Sequence, residues 1–302
     1  MAAAVAIIVT GGVVRVTGSG LGCPDWPSCT AQSLAPTTEM GVHGAIEFGN
    51  RMLTGALCAV VGWLIIAARL QREPSRAVLR AAWAQFWVIV LNAVVGGITV
   101  WMRLSPYIVA AHFLAAVLLL TTAAVTLEYV QRPAHEAAAT AAVPTRRAVL
   151  LSRFLTAGTA LLLVVGTAAT GSGPHAGDSS AVQRMPFDWA GVTAVHGAVA
   201  LGCLVLGCLL FAALPAASPA RRRTGVFLAV FLAQGLIGVF QSLTSLPAVA
   251  VILHLFGSAL VWAGAVRVVL AVNRQPTAVP AERPAGDQLS ARLAPSTTAA
   301  DT

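Results

Sequence analysis

Six histidines stand in this sequence, at 43, 112, 135, 175, 196 and 254, and two of them open near-identical words: "HGAIEFGNR" at 43–51 and "HGAVALG" at 196–202. The first word sets an imidazole (His43), a carboxylate (Glu47) and a guanidinium (Arg51) at the mouth of a long apolar run. The second keeps the histidine and loses both charges. Imidazoles ligate metals and move protons near neutral pH, and a carboxylate beside one can serve as a base. An ionisable group near the centre of a membrane helix costs about 2.5–3.5 kcal/mol on insertion scales. It therefore needs a partner or a task. Glu47 and Arg51 are spaced to neutralise each other across one helical turn, and an arginine can also reach outward to the interface. Neither explanation says why the twin word does without them.

The twinning extends beyond these words. "VTGSG" at 16–20 and "ATGSG" at 169–173 share the offset of 153 that carries His43 onto His196. Further along, an offset of 142 carries Gly96 onto Gly238, Leu104 onto Leu246 and His112 onto His254. Each half thus offers two histidines, from its second and fourth apolar runs, at what the sequence suggests is a common depth. A single intramembrane histidine reads most simply as a hydrogen-bonded core residue. Two matched pairs read better as bis-histidine sites for a haem iron in the core of a helix bundle. Small residues follow on the ligand face, Ala115 and Ala116 after His112, Gly257 and Ser258 after His254, where a porphyrin needs room. Zinc is disfavoured, since neither pair brings the further ligands it takes.

The halves differ in what surrounds the pair. Below His43 come Glu47, Asn50 and Arg51; below His196 come Ala200, Cys203 and Leu204. We expect one reactive site and one passive electron site. Cys23 and Cys29, in "GCPDWPSC", have no counterpart in the second half. A disulfide there fits an outward, oxidising loop, structural or redox-active. Cys58, Cys203 and Cys208 read as small core residues, His135 as solvated in a loop, and His175 in "TGSGPHAGD" as an outer-loop residue above the second half.

The elements that position these residues follow from composition. The 302 residues are 57% hydrophobic and 10% charged, against about a quarter charged in a soluble domain. Apolar runs long enough to cross a bilayer predict eight spans, at about 2–17, 42–68, 81–101, 108–130, 148–170, 191–214, 224–245 and 247–272. The first is short and lacks a signal peptide's leader and cleavage pattern; a start further upstream would lengthen it. The net charge of +8 is carried by arginine alone, clustered in the second, fourth and sixth connections. By the positive-inside rule both termini are cytoplasmic and loops 18–41 and 171–190 face outward, which reads the charge as topology and not as a nucleic-acid footprint. The expected fold is an all-α membrane protein of eight transmembrane helices. They form two parallel four-helix-bundle repeats related by a pseudo-two-fold axis along the membrane normal. Its parts are residues 1–130, a cytoplasmic linker 131–147, residues 148–272, and a Pro/Ala/Thr-rich disordered tail 273–302.

"GGVVRVTGSGLGCPDWPSC", "IEFGNRMLTG", "TGSGPHAGD" and "QGLIGVFQSLTSLPAVAVILHL" resemble signature stretches of the haem A synthase family, over about residues 10–270. The resemblance implies a cell-membrane oxidoreductase that takes haem O as substrate and oxidises its C8 methyl to the formyl group of haem A by successive hydroxylations, with water as the oxygen source. It implies haem b on His196 and His254, a glutamate needed for activity at Glu47, and the cysteine pair at Cys23 and Cys29. It also implies supply from a haem O synthase, delivery to the cytochrome oxidase assembly pathway, and leaves a homo-oligomer open. Many members read E-x-x-H-R where this chain has "EFGNR", with Asn50 in the histidine's place. The internal repeat therefore nominates His43 with His112 for the substrate haem, Glu47 between His43 and Asn50, and Arg51 for a propionate. The rival readings are a dihaem electron carrier, which needs no special Glu47, and a proton-relaying transporter, which would place its polar groups at mid-membrane.

Overall fold

The computed structural model of the protein describes residues 1–131, 145–175, 177–178 and 182–273. His135 and the tail beyond Asn273 lie outside the described residues, and the readings made of them go no further. Among the described residues the regular structure is helical: α1 (Ala2–Val16), α2 (Gly41–Arg69), α3 (Arg76–Trp101), α4 (Pro106–Val130), α5 (Arg146–Ser172), α6 (Trp189–Ala213), α7 (Pro219–Leu243) and α8 (Ala248–Val272). A short 3-10 turn, Thr38–Met40, leads into α2.

Several helices begin where the sequence supplies a cap. Side chains of Ser75, Thr145, Asp188 and Ser218 accept hydrogen bonds from Val78, Ala148, Gly191 and Arg221 amides at the heads of α3, α5, α6 and α7, satisfying donors that the first turn leaves open. Pro106 and Pro219 occupy the first turn of α4 and α7, where a missing N–H costs nothing. These caps explain why α3 and α7 start at 76 and 219, ahead of the hydropathy-based 81 and 224: their arginine-bearing first turns are polar yet helical.

Seven helices, α2 to α8, are long and apolar enough to cross a membrane, and the chain is a multi-pass membrane protein. The eighth expected span is shorter than the rest. The 15 residues of α1 rise about 22 Å, less than a hydrocarbon core of about 30 Å. Large apolar side chains such as Trp63, Trp87, Leu236 and Leu243 are exposed on the outer surface of the bundle, as a lipid-facing surface requires.

Helices α1–α4 close a ring in chain order, and α5–α8 close a second. Among the described residues the rings meet through α1 with α8, α4 with α5, and α4 with α8. Where they meet, Gly12 of α1 lies against Leu255 of α8, and the Trp262 indole of α8 donates to Thr121 Oγ1 of α4 at 2.8 Å. The strongest tie sits at the arginine-rich face. Glu128 of α4, 1% exposed, accepts from Arg223 of α7 and Arg267 of α8, each at 2.8 Å. Charge-assisted bonds of this kind hold a carboxylate that would otherwise be buried unpaired.

The connections at the opposite face interlock. The turns after α3 and α7 each place two consecutive non-glycine residues in the left-handed region, Arg103–Leu104 and Ser245–Leu246. In each, an amide bonds five residues back, Leu104 to Thr99 and Leu246 to Gln241, both at 2.9 Å. The two long loops pair through Gly20 N–H to Gly177 O at 2.8 Å and a bridge between Ser19 and Asp178.

Candidate functional site

In the second ring, His196 of α6 and His254 of α8 bring their imidazoles to 6.4 Å between ring centres, tilted by 59°. Each ring rests on a glycine of the preceding helix. A methyl on Gly166 would come within 3.1 Å of His196 Cε1, and one on Gly238 within 3.1 Å of His254 Cε1. The Nδ1 atoms on this side are buried without a partner of hydrogen-bonding geometry, although the Leu162 carbonyl lies toward His196. With Cε1 and Nδ1 against glycine, Nε2 is the nitrogen turned away. Two imidazoles sharing one metal, each bonded at about 2.1 Å with roughly 1.1 Å more to the ring centre, stand about 6.4 Å apart. The donor set and its spacing fit a bis-imidazole iron. Gly197 beside His196 and Gly235 on α7 both face open space.

The first ring repeats one half of this arrangement. His112 of α4 rests on Gly96 of α3: a methyl on that glycine would again come within 3.1 Å of Cε1, and Nδ1 is again buried and unpartnered. The matched glycines at 96 and 238 are thus ring cradles, one per half. On α2 the chemistry differs from that of α6. Glu47 of α2, 6% exposed, is held at both oxygens: Oε2 accepts the Cys23 amide at 2.7 Å and Oε1 accepts Arg51 Nη2 at 2.5 Å. Arg51 also donates to the Asp25, Ser28 and Cys23 carbonyls at 2.8, 2.9 and 3.0 Å. One turn away, Asn50 Oδ1 accepts from Thr10 of α1 at 2.7 Å.

Cys23 and Cys29 are joined in a disulfide, and their loop is moulded onto this ring. A Cβ on Gly22 would strike the His43 backbone, so only glycine permits the loop to lie on α2 there. Trp26 fills the space that Gly97 leaves on α3 and meets Trp101 edge-on at 5.5 Å. The buried carboxylate, its arginine and the disulfide loop form one unit.

The COX15-CtaA family profile, described as cytochrome oxidase assembly protein, matches residues 1–266. The chain belongs to this family. Among its relatives, heme A synthase of Geobacillus thermodenitrificans is 32% identical over 111 residues, 35% of this chain and 32% of the relative. Heme A synthase of Alkalihalophilus pseudofirmus is 31% identical over 122 residues, 38% and 40% of the two chains. That of Listeria welshimeri is 32% identical over 108 residues, 35% of each. The matched stretch spans between about a third and two fifths of these relatives' own length.

Against this family background, several expectations change in detail. His112, His196 and His254 are the seventh, eighth and seventh residues of α4, α6 and α8, but His43 is only the third of α2 and Asn50 the tenth. Relative to His196, His43 stands five residues nearer the helix mouth, about 7.5 Å, and Asn50 two residues deeper, about 3 Å. Counted from the first residue of its own helix, His43 is therefore not level with the other three. His43 is exposed and bonded through Nδ1 to Ser19 Oγ at 3.0 Å. Nor does Gly257 clear a porphyrin: the Gln234 side chain occupies that space while its amide donates to the His254 carbonyl. His175 is a strut, with Nε2 bonded to Leu246 O at 2.9 Å and its carbonyl accepting Arg15 Nε at 2.8 Å. Sequence reasoning missed the Glu128 ion triad, whose signal was one acid in an otherwise apolar span.

Proposed function

We propose that this chain is a membrane oxidoreductase that converts haem O to haem A, taking the C8 methyl to a formyl group by successive hydroxylations with oxygen from water. The observation that carries this reading is the contrast between the rings. One holds two imidazoles at metal-sharing distance; the other holds a single glycine-cradled histidine and, on another of its helices, a buried carboxylate fixed on both oxygens. The relatives named heme A synthase support the same reading.

In it, the second ring is the electron site: haem b between His196 and His254 would accept the electrons withdrawn from the substrate. The first ring is the substrate site, with His112 and Asn50 facing the porphyrin and His43 at its outer rim. Hydroxylation by water releases protons as well as electrons, and Glu47 is placed to take a proton. The Cys23 amide and Arg51 keep that carboxylate from swinging, so the base is positioned before substrate arrives. Because the loop carbonyls occupy Arg51, we assign it to holding the loop and Glu47 in preference to a propionate.

The two-repeat architecture belongs to the same proposal. It is supported by the equal helix order of the rings and by contacts that survive exchange of α1–α4 with α5–α8. The arginine clustering favours cytoplasmic termini in the cell membrane. A haem O synthase upstream and cytochrome oxidase assembly downstream complete the reading.

Purified protein should show a bis-imidazole haem b spectrum, and chromatography of its extracted haem should give haem b together with haem O or haem A. Preparations competent in the membrane but lacking haem would refute the proposal.

A further inference from the structure

The first ring contains an apolar crevice along α2. It opens between α1 and α2, encloses about 330 Å³, and is walled by Ala4, Leu57, Val61 and Leu64, with Gln85 of α3 and Leu119 of α4 at its inner end. That volume lies at the small end for ligand sites, about 300–1,000 Å³. It suits a chain and is too small for a macrocycle with its substituents.

Its position is informative. Leu57 lies seven residues beyond Asn50 and Leu119 seven beyond His112. Two turns return to nearly the same helix face about 10.5 Å further along. The crevice therefore begins directly beneath the residues assigned to the substrate porphyrin. It continues along α2 to Ala67, about 15 Å from Leu57, with apolar walls.

The matching space in the second ring is filled. The offset of 142 puts Phe227 in the place of Gln85 and Val261 in the place of Leu119. Both are packed with Cys203 and Leu210 in one buried cluster, and Phe227 stacks on Phe231 at 5.4 Å. In the first ring the Gln85 amide is instead drawn aside to Thr126 Oγ1 at 2.7 Å. Helix pairing follows suit. On α5, Gly158 lies against Cys203 and Gly166 against His196, which lets α5 and α6 close. The matching α1 positions are Val5 and Val13.

We propose that this crevice is a prenyl-chain subsite, holding the farnesyl group that haem O carries and protohaem lacks. The inference rests on the first ring being the substrate half. The chain enters from the lipid side past Val60 and Trp63, 56% and 72% exposed, and lies along α2 while the porphyrin sits above it. The second ring, closed by Phe227, accepts only a haem without such a chain.

The test titrates the full-length protein, its second ring loaded with haem b, with haem O and separately with protohaem. Wild type should bind haem O at least about tenfold more tightly at the first ring, the scale on which apolar contacts discriminate. Gln85→Phe, which restores the second ring's filling, should abolish that preference while leaving protohaem affinity and the bis-imidazole spectrum unchanged. Val60→Trp narrows the mouth from its exposed side and should weaken haem O in the same selective way, even where Gln85→Phe does not fold. Equal binding of the two haems by wild type, or a preference that survives both variants, overturns the subsite alone. Loss of co-purifying phospholipid from the variants with the preference intact assigns the crevice to an acyl chain and also overturns it. Failure of wild type to bind either haem at the first ring would sink the functional reading itself.

Discussion

The two rings share a helix order, a glycine cradle under the fourth-helix histidine and a left-handed turn before it, yet they treat polar groups in opposite ways. The second ring brings the half-buried His196 and His254 to 6.4 Å between ring centres, and the helix face below His196 carries Ala200, Cys203 and Leu204. In the proposed reading such a pocket would hold a metal and leave it chemically quiet. The first ring has one cradled histidine, bonds Asn50 to Thr10 of α1, and holds a carboxylate, a guanidinium and a disulfide loop together. The difference teaches that rings of the same helix order can surround a histidine with quite different polar groups.

The comparison can be broken most directly at His254. Replacing it with Ala removes one of the paired rings, and haem b content and the bis-imidazole absorption spectrum should fall to background while the Cys23–Cys29 loop stays formed. Persistence of that spectrum would mean the second ring is not the electron site. Next in size is Glu47→Gln, which keeps the shape and removes the base. Haem A formation should fall by about a hundredfold or more, with haem O accumulating in extracts and the haem b spectrum intact. Undiminished haem A would take Glu47 out of the mechanism.

Arg51→Ala removes the donor to Glu47 and to three loop carbonyls. We expect a loss of about 2 kcal/mol in unfolding free energy, since hydrogen bonds to charged groups contribute about 1.5–3 kcal/mol. The Cys23–Cys29 bond should also become markedly faster to reduce by dithiothreitol. A disulfide as resistant as in the parent protein would show that the loop does not depend on α2. The smallest effect belongs to His43→Ala, which deletes one hydrogen bond to Ser19, about 1 kcal/mol. Substrate affinity should change by less than about fivefold; a much larger loss would make His43 a ligand of the substrate haem.

Much of this was legible in the residues. Hydropathy located the helices to within a few positions, because lipid admits only long apolar runs, and the errors fall at capped, arginine-bearing first turns such as those after Ser75 and Ser218. The two offsets located the histidines of α4, α6 and α8 and the glycines at 96 and 238, though not that those glycines support the rings. Glu128 stayed hidden, because its partners Arg223 and Arg267 come from helices far along the chain.

By itself the sequence determined that the chain crosses a membrane several times, that words near its histidines recur at fixed offsets, and that one of the two histidine words is more polar than the other. All three are carried by composition and by identity at fixed offsets. The register of α2 was beyond it. A shift of seven residues is two turns and preserves the helix face, so "HGAIEFG" matches "HGAVALG" equally well whether or not the depths agree. Only the packed helices showed Asn50 bonded to Thr10 and His43 to Ser19. Depth in a bundle is set by neighbouring helices, and periodicity along one helix carries no record of it.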